Sequence, residues 1–179
     1  MNNIMKLLSI VSVCIKIQIA LSQPNQPTPG PNSVRELCKL NIYPSLCITT
    51  LNHDPRSKNA NGHGLALISV DATSKKMRQM LKYLISVRKN IKNRQDSTRY
   101  DTCIKAYDTA VHKFLPAELA DLKLKRFSQA MSEMKSVVSM PDYCEGQFPE
   151  TSPLTDRIKA VHDIAGMSAD IIRYLYGNY

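Results

Sequence analysis

The sequence predicts an all-α protein, a four-helix up-and-down bundle preceded by an N-terminal helical hairpin that a disulfide closes. Apolar residues recur at spacings of three and four over three long stretches and one shorter one, as on helices that bury one face. No stretch alternates at period two over the length of a strand, and the turn signals of β-hairpins are missing. Four such helices pack most simply as an antiparallel bundle.

The N-terminus is expected to be a secretory signal peptide over residues 1–22. Lys6 precedes a short apolar run, Leu7 to Ile15, and the small residues Ala20 and Ser22 suit cleavage after Ser22. The run is far shorter than the roughly 20 residues that a membrane span needs, so no membrane anchor is predicted. Residues 23–32 form a Pro-rich tether with nothing to bury, and 33–179 form the folded domain.

Four cysteines remain once the leader is removed, and secretion favours disulfides between them. Sequence alone allows three pairings, of which we favour Cys38 with Cys47 and Cys103 with Cys144. Nine positions along one straight helix rise about 13.5 Å, whereas bonded cysteines need Cα atoms within about 7 Å. The chain must therefore turn back between the first pair, and Pro44 allows this by starting a new helix. Cys103, near the start of one helix, can meet Cys144, just past the end of its antiparallel neighbour.

The predicted helices are marked by apolar stripes and by the breaks between them. The stripes consist of Val70, Thr73, Met77, Met80, Leu84, Val87 and Ile91; Tyr100, Cys103, Tyr107, Ala110 and Phe114; Phe127, Ala130, Met134 and Val137; and Leu154, Ile158, Val161, Ala165, Ser168, Ile172 and Leu175. Breaks are expected at 59–64, at 90–97 and at 141–153. Pro116 should end or kink the second long helix, with a restart at 117–119.

Charge is the next informative property of the chain. The formal net charge is +9, which falls to +7 when Lys6 and Lys16 leave with the leader. The strongest cluster faces away from the seam of Met77, Met80 and Leu84, and consists of Lys75, Lys76, Arg78, Lys82, Arg88, Lys89, Lys92 and Arg94. It is either a solvated helix face or a contact surface for a polyanion, and an acidic cell-wall polysaccharide is a candidate partner. Nucleic acid is disfavoured because a secreted protein does not meet it and no binding motif is present.

The sequence offers little chemistry. Of the four histidines, His112 and His162 are expected on helices and His53 and His63 in exposed loops, and none has the spacing of a metal site. Nucleophile-elbow, phosphate-loop and dinucleotide motifs do not occur. We therefore expect no catalytic residues, no cofactor and no metal ligands.

Several motifs together resemble a known family. Leu37–Cys47 (LCKLNIYPSLC) is similar to the "C…T.YP..C" opening of the plant invertase and pectin methylesterase inhibitor family, and Asp54–Ser57 with Gly64–Ile68 resembles its next block. The segments Cys103–Val111 and Cys144–Thr155 resemble later family segments. The resemblance implies a four-helix bundle with bridges 38–47 and 103–144. It also implies a non-catalytic inhibitor that occludes the active-site cleft of a secreted carbohydrate enzyme, in the cell wall or a vacuole.

The resemblance implies two target classes, acid invertases and pectin methylesterases. Some invertase inhibitors of the family insert a Pro-Lys-Phe turn into the target, and the matching segment here is Leu124–Phe127, without the proline. Lys125, Arg126 and Phe127 are thus candidate target-binding residues, although Phe127 equally fits the buried stripe with Ala130 and Met134. We expect an acid invertase as the target, with pectin methylesterase as the alternative. A wall-associated binding bundle without inhibitory activity is a further alternative.

Overall fold

The computed structural model describes residues 33–149 and 152–177, so the expected signal peptide (1–22) and tether (23–32) lie outside the described residues. The described part is helical and contains no strand, as the sequence predicts. Its elements are α1 (Val34–Lys39), α2 (Pro44–Asn52), a 3₁₀-helix (Pro55–Asn59), α3 (Gly62–Arg88), α4 (Arg94–Thr109), a π-helical turn (Ala110–Phe114), α5 (Leu115–Lys123), α6 (Phe127–Glu145) and α7 (Thr155–Gly177).

Four helical rods form the bundle: α3, α4 continued by α5, α6, and α7. Only short segments join them, at 89–93, at 124–126 and at 146–154, and short connections make successive helices antiparallel neighbours. Each rod turns its apolar stripe inward, and the buried set includes Met77, Tyr107, Met134 and Ile172. The predicted four-helix bundle with its disulfide-closed hairpin is confirmed.

A buried chain of hydroxyl groups joins α3 to α7. The Oγ1 of Thr73 lies 2.8 Å from the Oγ of Ser168, and Ser168 donates to the carbonyl oxygen of Ser69 at 2.9 Å. All three side chains are fully buried. The hydroxyl of Ser69 donates to the carbonyl of Ala66 within α3. Because these small hydroxyl groups bond to each other or to main-chain carbonyls, the two long helices approach closely without leaving a buried polar atom unpaired at this seam.

The N-terminal hairpin is α1 and α2, closed by the Cys38–Cys47 disulfide with its Cα atoms 5.5 Å apart. Pro44 occupies the first position of α2, as expected from its missing N–H. The connecting loop is tied to α7: the Nδ2 of Asn41 donates to the carbonyl of Met167, and the N–H of Ile42 donates to Asp170. The hairpin is therefore held against the bundle by hydrogen bonds as well as by packing.

The second disulfide joins Cys103 of α4 to Cys144 of α6, with Cα atoms 4.7 Å apart. The expected break at Pro141 is wrong, since α6 continues through Pro141 to Glu145. Pro141 and Cys144 are both buried on the same face, one turn apart. Packing and the cross-link hold this last turn helical although the proline removes one backbone donor.

The helix α4 passes into α5 without a break. A π-helical turn over Ala110–Phe114 precedes Pro116, which then lies in the first turn of α5. A π-turn spaces its hydrogen bonds by five residues instead of four, and in the first helical turn a proline nitrogen needs no hydrogen-bond partner. Pro116 is thus accommodated where a break or kink was expected.

The break predicted at 59–64 is also shorter than expected. The helix α3 begins at Gly62, because the Oδ1 of Asn61 accepts a hydrogen bond from the N–H of Gly64 and caps the helix. His63 is therefore helical and half-buried, which corrects the expected exposed loop position.

Glu118 is a buried acid on the inward face of α5, between Leu115 and Leu122. Neither carboxylate oxygen has a hydrogen-bond partner among the described residues. Burial, with a smaller contribution from Glu133, raises the pKa of Glu118 to about 9. Glu118 is accordingly a neutral carboxylic acid in the folded protein at neutral pH.

No helix in residues 33–149 and 152–177 is both long enough and apolar enough to cross a membrane.

Substituting Gly166 should loosen the hairpin. A Cβ atom there would lie 2.9 Å from Cε2 of Tyr43, so the ring of Tyr43 would have to move. We expect Gly166→Ala to lower the free energy of unfolding by about 1–3 kcal/mol, measured by urea titration. Gly177→Ala is the matched control, because a Cβ at Gly177 meets nothing within 4 Å. Equal effects of the two substitutions would contradict the close contact.

Glu118 should make the protein less stable as pH rises. The unfolded carboxyl loses its proton near its ordinary pKa of 4.5, whereas the folded one keeps it to about 9. The folded state therefore binds more protons between these values, and the free energy of unfolding falls with pH, by up to about 1.4 kcal/mol per unit from this group. Glu118→Gln should flatten that slope in urea titrations from about pH 5 to about pH 8. Parallel slopes for the two proteins would show that Glu118 is ionised in the folded state.

Candidate target-binding surface

The turn between α5 and α6 is a Schellman motif that presents a cation. The N–H of Lys125 donates to the carbonyl of Leu122 at 2.9 Å, and the N–H of Arg126 donates to the carbonyl of Asp121 at 2.8 Å. These two bonds satisfy carbonyls that the end of a helix otherwise leaves without partners. The turn therefore has one defined backbone conformation.

Lys125 occupies the left-handed position of this motif, with φ at 56°. It is the only residue other than glycine with positive φ in the described part of the chain. Helices that end this way usually carry glycine or asparagine there, because a Cβ atom is strained in the left-handed region. Strain of this kind concentrates at functional sites, which makes Lys125 a candidate contact.

The two residues next to Lys125 differ: the side chain of Leu124 is exposed, and that of Arg126 is held by hydrogen bonds. The side chain of Leu124 is 62% exposed. The guanidinium of Arg126 donates from Nε to Asp121 at 2.8 Å, so its charge is partly compensated. The free cation of this turn is Lys125, and the free apolar group is Leu124.

Phe127 does not belong to the exposed surface. The side chain is only 6% exposed, and its ring packs edge-to-face on His63 with the centroids 6.0 Å apart. Burial, and then the nearby charge of Lys125, lowers the pKa of His63. The alternative in which Phe127 is a core residue agrees with this burial, and a contact between the Phe127 ring and a target would require the ring to leave the core.

Two exposed aliphatic residues of the hairpin loop were missed by the sequence analysis. Leu40 is 58% and Ile42 is 63% exposed, on the loop that Asn41 and Asp170 hold to α7. The sequence did contain a signal for them: apolar residues between two bonded cysteines nine positions apart must lie on a short, constrained turn. The loop that carries them lies beside the middle of α7, where Met167 and Asp170 bind it.

Some residues of the predicted basic cluster are paired or half-buried in the structure, and others are exposed. Arg88 leaves the outward face and pairs with Asp101 of α4, with Nε and Oδ1 2.8 Å apart. Lys76 is half-buried beside α7. The exposed cations that remain together are Lys75, Arg78 and Lys82 on α3 and Lys89, the residue that caps its C-terminus.

The histidines and acids are not arranged as metal ligands in the described part of the chain. Among the described residues, no group of three or more His, Cys, Asp and Glu side chains could hold a metal ion. His112 and His162 lie on helices, as the sequence predicts, and each is close to an aspartate.

These observations define a class: an all-helical bundle with one disulfide between bundle helices, a second that closes an N-terminal hairpin, and a conformationally defined turn at one end. The sequence profile described as plant invertase/pectin methylesterase inhibitor matches residues 32–173. The chain belongs to this family, whose members are proteinaceous inhibitors of pectin methylesterase or invertase.

Two curated relatives illustrate the two kinds of inhibitor. The chain is 31% identical over 78 residues to a pectinesterase inhibitor of Actinidia deliciosa, covering 44% of this chain and 42% of that protein. It is 28% identical over 142 residues to the cell wall / vacuolar inhibitor of fructosidase 1 of Arabidopsis thaliana, covering 77% of this chain and 66% of that protein. The chain thus spans less than two thirds of the length of either relative.

Solved structures support the fold. A mutant form of a pectin methylesterase inhibitor from Arabidopsis superposes with a TM-score of 0.66 at 20% identity, over 79% of this chain and 96% of that chain. A pectin methylesterase inhibitor from Arabidopsis thaliana gives a TM-score of 0.59 at 20% identity, over 79% and 95%. At this identity the likeness concerns the fold alone.

Replacing Lys125 by glycine should stabilise the protein. Glycine adopts the left-handed conformation without the Cβ strain, so we expect Lys125→Gly to raise the free energy of unfolding by about 1 kcal/mol. Lys123→Gly, in the right-handed last turn of α5, is the matched control and should lower it by a similar amount. A loss of stability in Lys125→Gly, measured by urea titration, would mean that the left-handed turn is not kept in solution.

Proposed function

We propose that this chain is a non-catalytic protein inhibitor of a secreted carbohydrate-active enzyme, which it binds through the end of the bundle that carries the 124–126 turn. The observation that supports this most is the strained left-handed Lys125 beside the exposed Leu124. A turn fixed by a Schellman motif loses little conformational freedom on binding, so more of its contact energy remains as affinity.

Pectin methylesterase is the preferred target in this proposal. The invertase expectation depended partly on Phe127 as an inserted aromatic residue, and Phe127 is buried. The relative with the higher identity is named a pectinesterase inhibitor. Acid invertase is the second candidate, because the relative that is named a fructosidase inhibitor matches a larger share of the chain and because Lys125 is exposed.

The proposal includes secretion to the cell wall, with the vacuole as the alternative. Its support is the signal-peptide pattern of residues 1–22 and the disulfides, which persist in oxidising compartments. The relative from Arabidopsis thaliana is itself named a cell wall / vacuolar inhibitor.

The first test is dose-dependent inhibition of a pectin methylesterase and of an acid invertase by the oxidised protein, each near pH 5 and near pH 7. We expect stoichiometric inhibition of the methylesterase, lost when the protein is reduced and alkylated. Inhibition of the invertase alone would select the second candidate. Inhibition of neither enzyme would reject both and would favour a wall-associated binding bundle without inhibitory activity.

The turn is tested by variants that keep the fold. Lys125→Gly should weaken inhibition about tenfold although it stabilises the protein, because it removes the cation that approaches the target. Lys135→Gln, an exposed cation on α6, is the matched control and should leave the inhibition constant unchanged. Unaltered inhibition by Lys125→Gly would move the target contact away from this turn.

A further inference from the structure

A row of four cations runs along the outward face of α3 and ends at its C-cap residue, Lys89. We call it the basic stripe: Lys75, Arg78, Lys82 and Lys89, all exposed. Their spacings of three, four and seven residues keep them on one side of a helix with 3.6 residues per turn. From Lys75 to Lys89 the stripe extends about 21 Å at about 1.5 Å per residue.

The charges of the basic stripe are not compensated by ion pairs. Within the part of the chain that the structure describes, none of its four cations lies within ion-pairing distance of an acid. Neighbouring arginines differ: Arg56 binds Asp54 and Asp71, and Arg88 binds Asp101. The nearby acids pair with these arginines, so the stripe cations form no ion pair of their own, although Lys75 lies close enough to Asp54 to add a smaller contribution to that of Arg56 in lowering the pKa of Asp54.

The surroundings of the stripe suit a sugar polymer. Ile85, an exposed aliphatic residue, lies between Lys82 and Lys89 and can pack against the C–H face of a sugar ring. On the other flank a shallow groove separates α3 from α7, and its polar lining consists of Lys76, Gln79, Tyr83, Arg157 and one acid, Asp156. The guanidinium of Arg157 stacks on the ring of Tyr83, 4.1 Å from its centroid, which holds a further cation at the groove.

The stripe is distant from the 124–126 turn. The contact of Phe127 with His63 places that turn at the N-terminus of α3. Lys75 lies twelve residues further along the helix, a rise of about 18 Å, and Lys89 lies about 39 Å along. A partner on the stripe and a target enzyme at the turn can therefore be bound together.

We propose that the basic stripe binds a linear polycarboxylate, specifically the de-esterified pectin polymer polygalacturonate. A straight row of unpaired cations matches a chain with a carboxylate on each sugar, and the exposed aliphatic residue and the ring-lined groove favour sugar over a bare phosphate polymer. The choice of polymer rests on the proposed function, because a pectin methylesterase hydrolyses methyl esters and leaves free carboxylates on this polymer.

The test measures the Kd for polygalacturonate oligomers at low and at physiological salt, with fully methyl-esterified oligomers of the same length as the neutral comparison. The triple variant Arg78→Gln, Lys82→Gln, Lys89→Gln should raise the Kd at least about tenfold. The control Lys39→Gln, Lys113→Gln, Lys135→Gln removes the same net charge from exposed positions elsewhere and should change it little. Binding should weaken as salt rises and be lost with the esterified polymer.

Three outcomes would overturn the proposal: no binding at low salt, an equal loss in the control, or equal binding of the esterified polymer. Methylesterase inhibition by the stripe variant separates this proposal from the proposed function. We expect it to be unchanged, because the turn is intact. A wild-type protein that binds polygalacturonate and inhibits neither enzyme would leave the stripe in place and reject the inhibitor.

Discussion

The close contact of α3 with α7 is the constraint on which the other features depend. The hydroxyl groups of Thr73 and Ser168 bond to each other, Ser168 donates to the carbonyl of Ser69, and the Ser69 hydroxyl donates to the carbonyl of Ala66, so the two longest helices can meet without a buried polar penalty. This seam sets how each helix is rotated about its axis. It turns Met167 and Asp170 toward the hairpin loop, and it leaves the opposite face of α3, with the basic stripe, in solvent.

The two disulfides restrain different parts of the chain. The bond between Cys38 and Cys47 closes a short loop, and its effect is local, because it keeps the hairpin turn that Asn41 ties to α7. The bond between Cys103 and Cys144 spans 41 positions and links two bundle helices. In the chain-entropy view the longer loop removes more freedom from the unfolded state, about 3.9 against about 2.7 kcal/mol as upper values. In this view, reduction lowers the free energy of unfolding, and it does so more through the Cys103–Cys144 bond than through the Cys38–Cys47 bond.

Sequence patterns predicted the helices and their packing because helical periodicity is a local property that the bundle preserves. They did not predict that the helices continue through Pro116 and Pro141. A π-helical turn accommodates Pro116, and packing with the Cys103–Cys144 cross-link keeps the chain helical after Pro141. Phe127 shows most clearly which question sequence patterns cannot answer. Its place on the stripe with Ala130 indicated burial and its basic neighbours indicated a contact, and only the packing on His63 distinguishes the two. The strain at Lys125 had no sequence signal, because lysine is not a residue that the left-handed region favours.

The positions of the turn and the stripe on α3 have a consequence for an inhibitor in a charged matrix. An inhibitor whose whole surface bound polygalacturonate would be held away from its enzyme, because the same cations would serve both partners. Here the cations that lack ion pairs on α3 lie about 18 Å or more from His63 and the adjoining turn, so a polymer on the stripe does not cover Lys125. A polymer-bound inhibitor then meets an enzyme acting on the same chain at a high effective concentration, as linked binding sites do. Since the proposed target, a pectin methylesterase, itself creates the carboxylates, retention of the inhibitor would grow where that enzyme has been active.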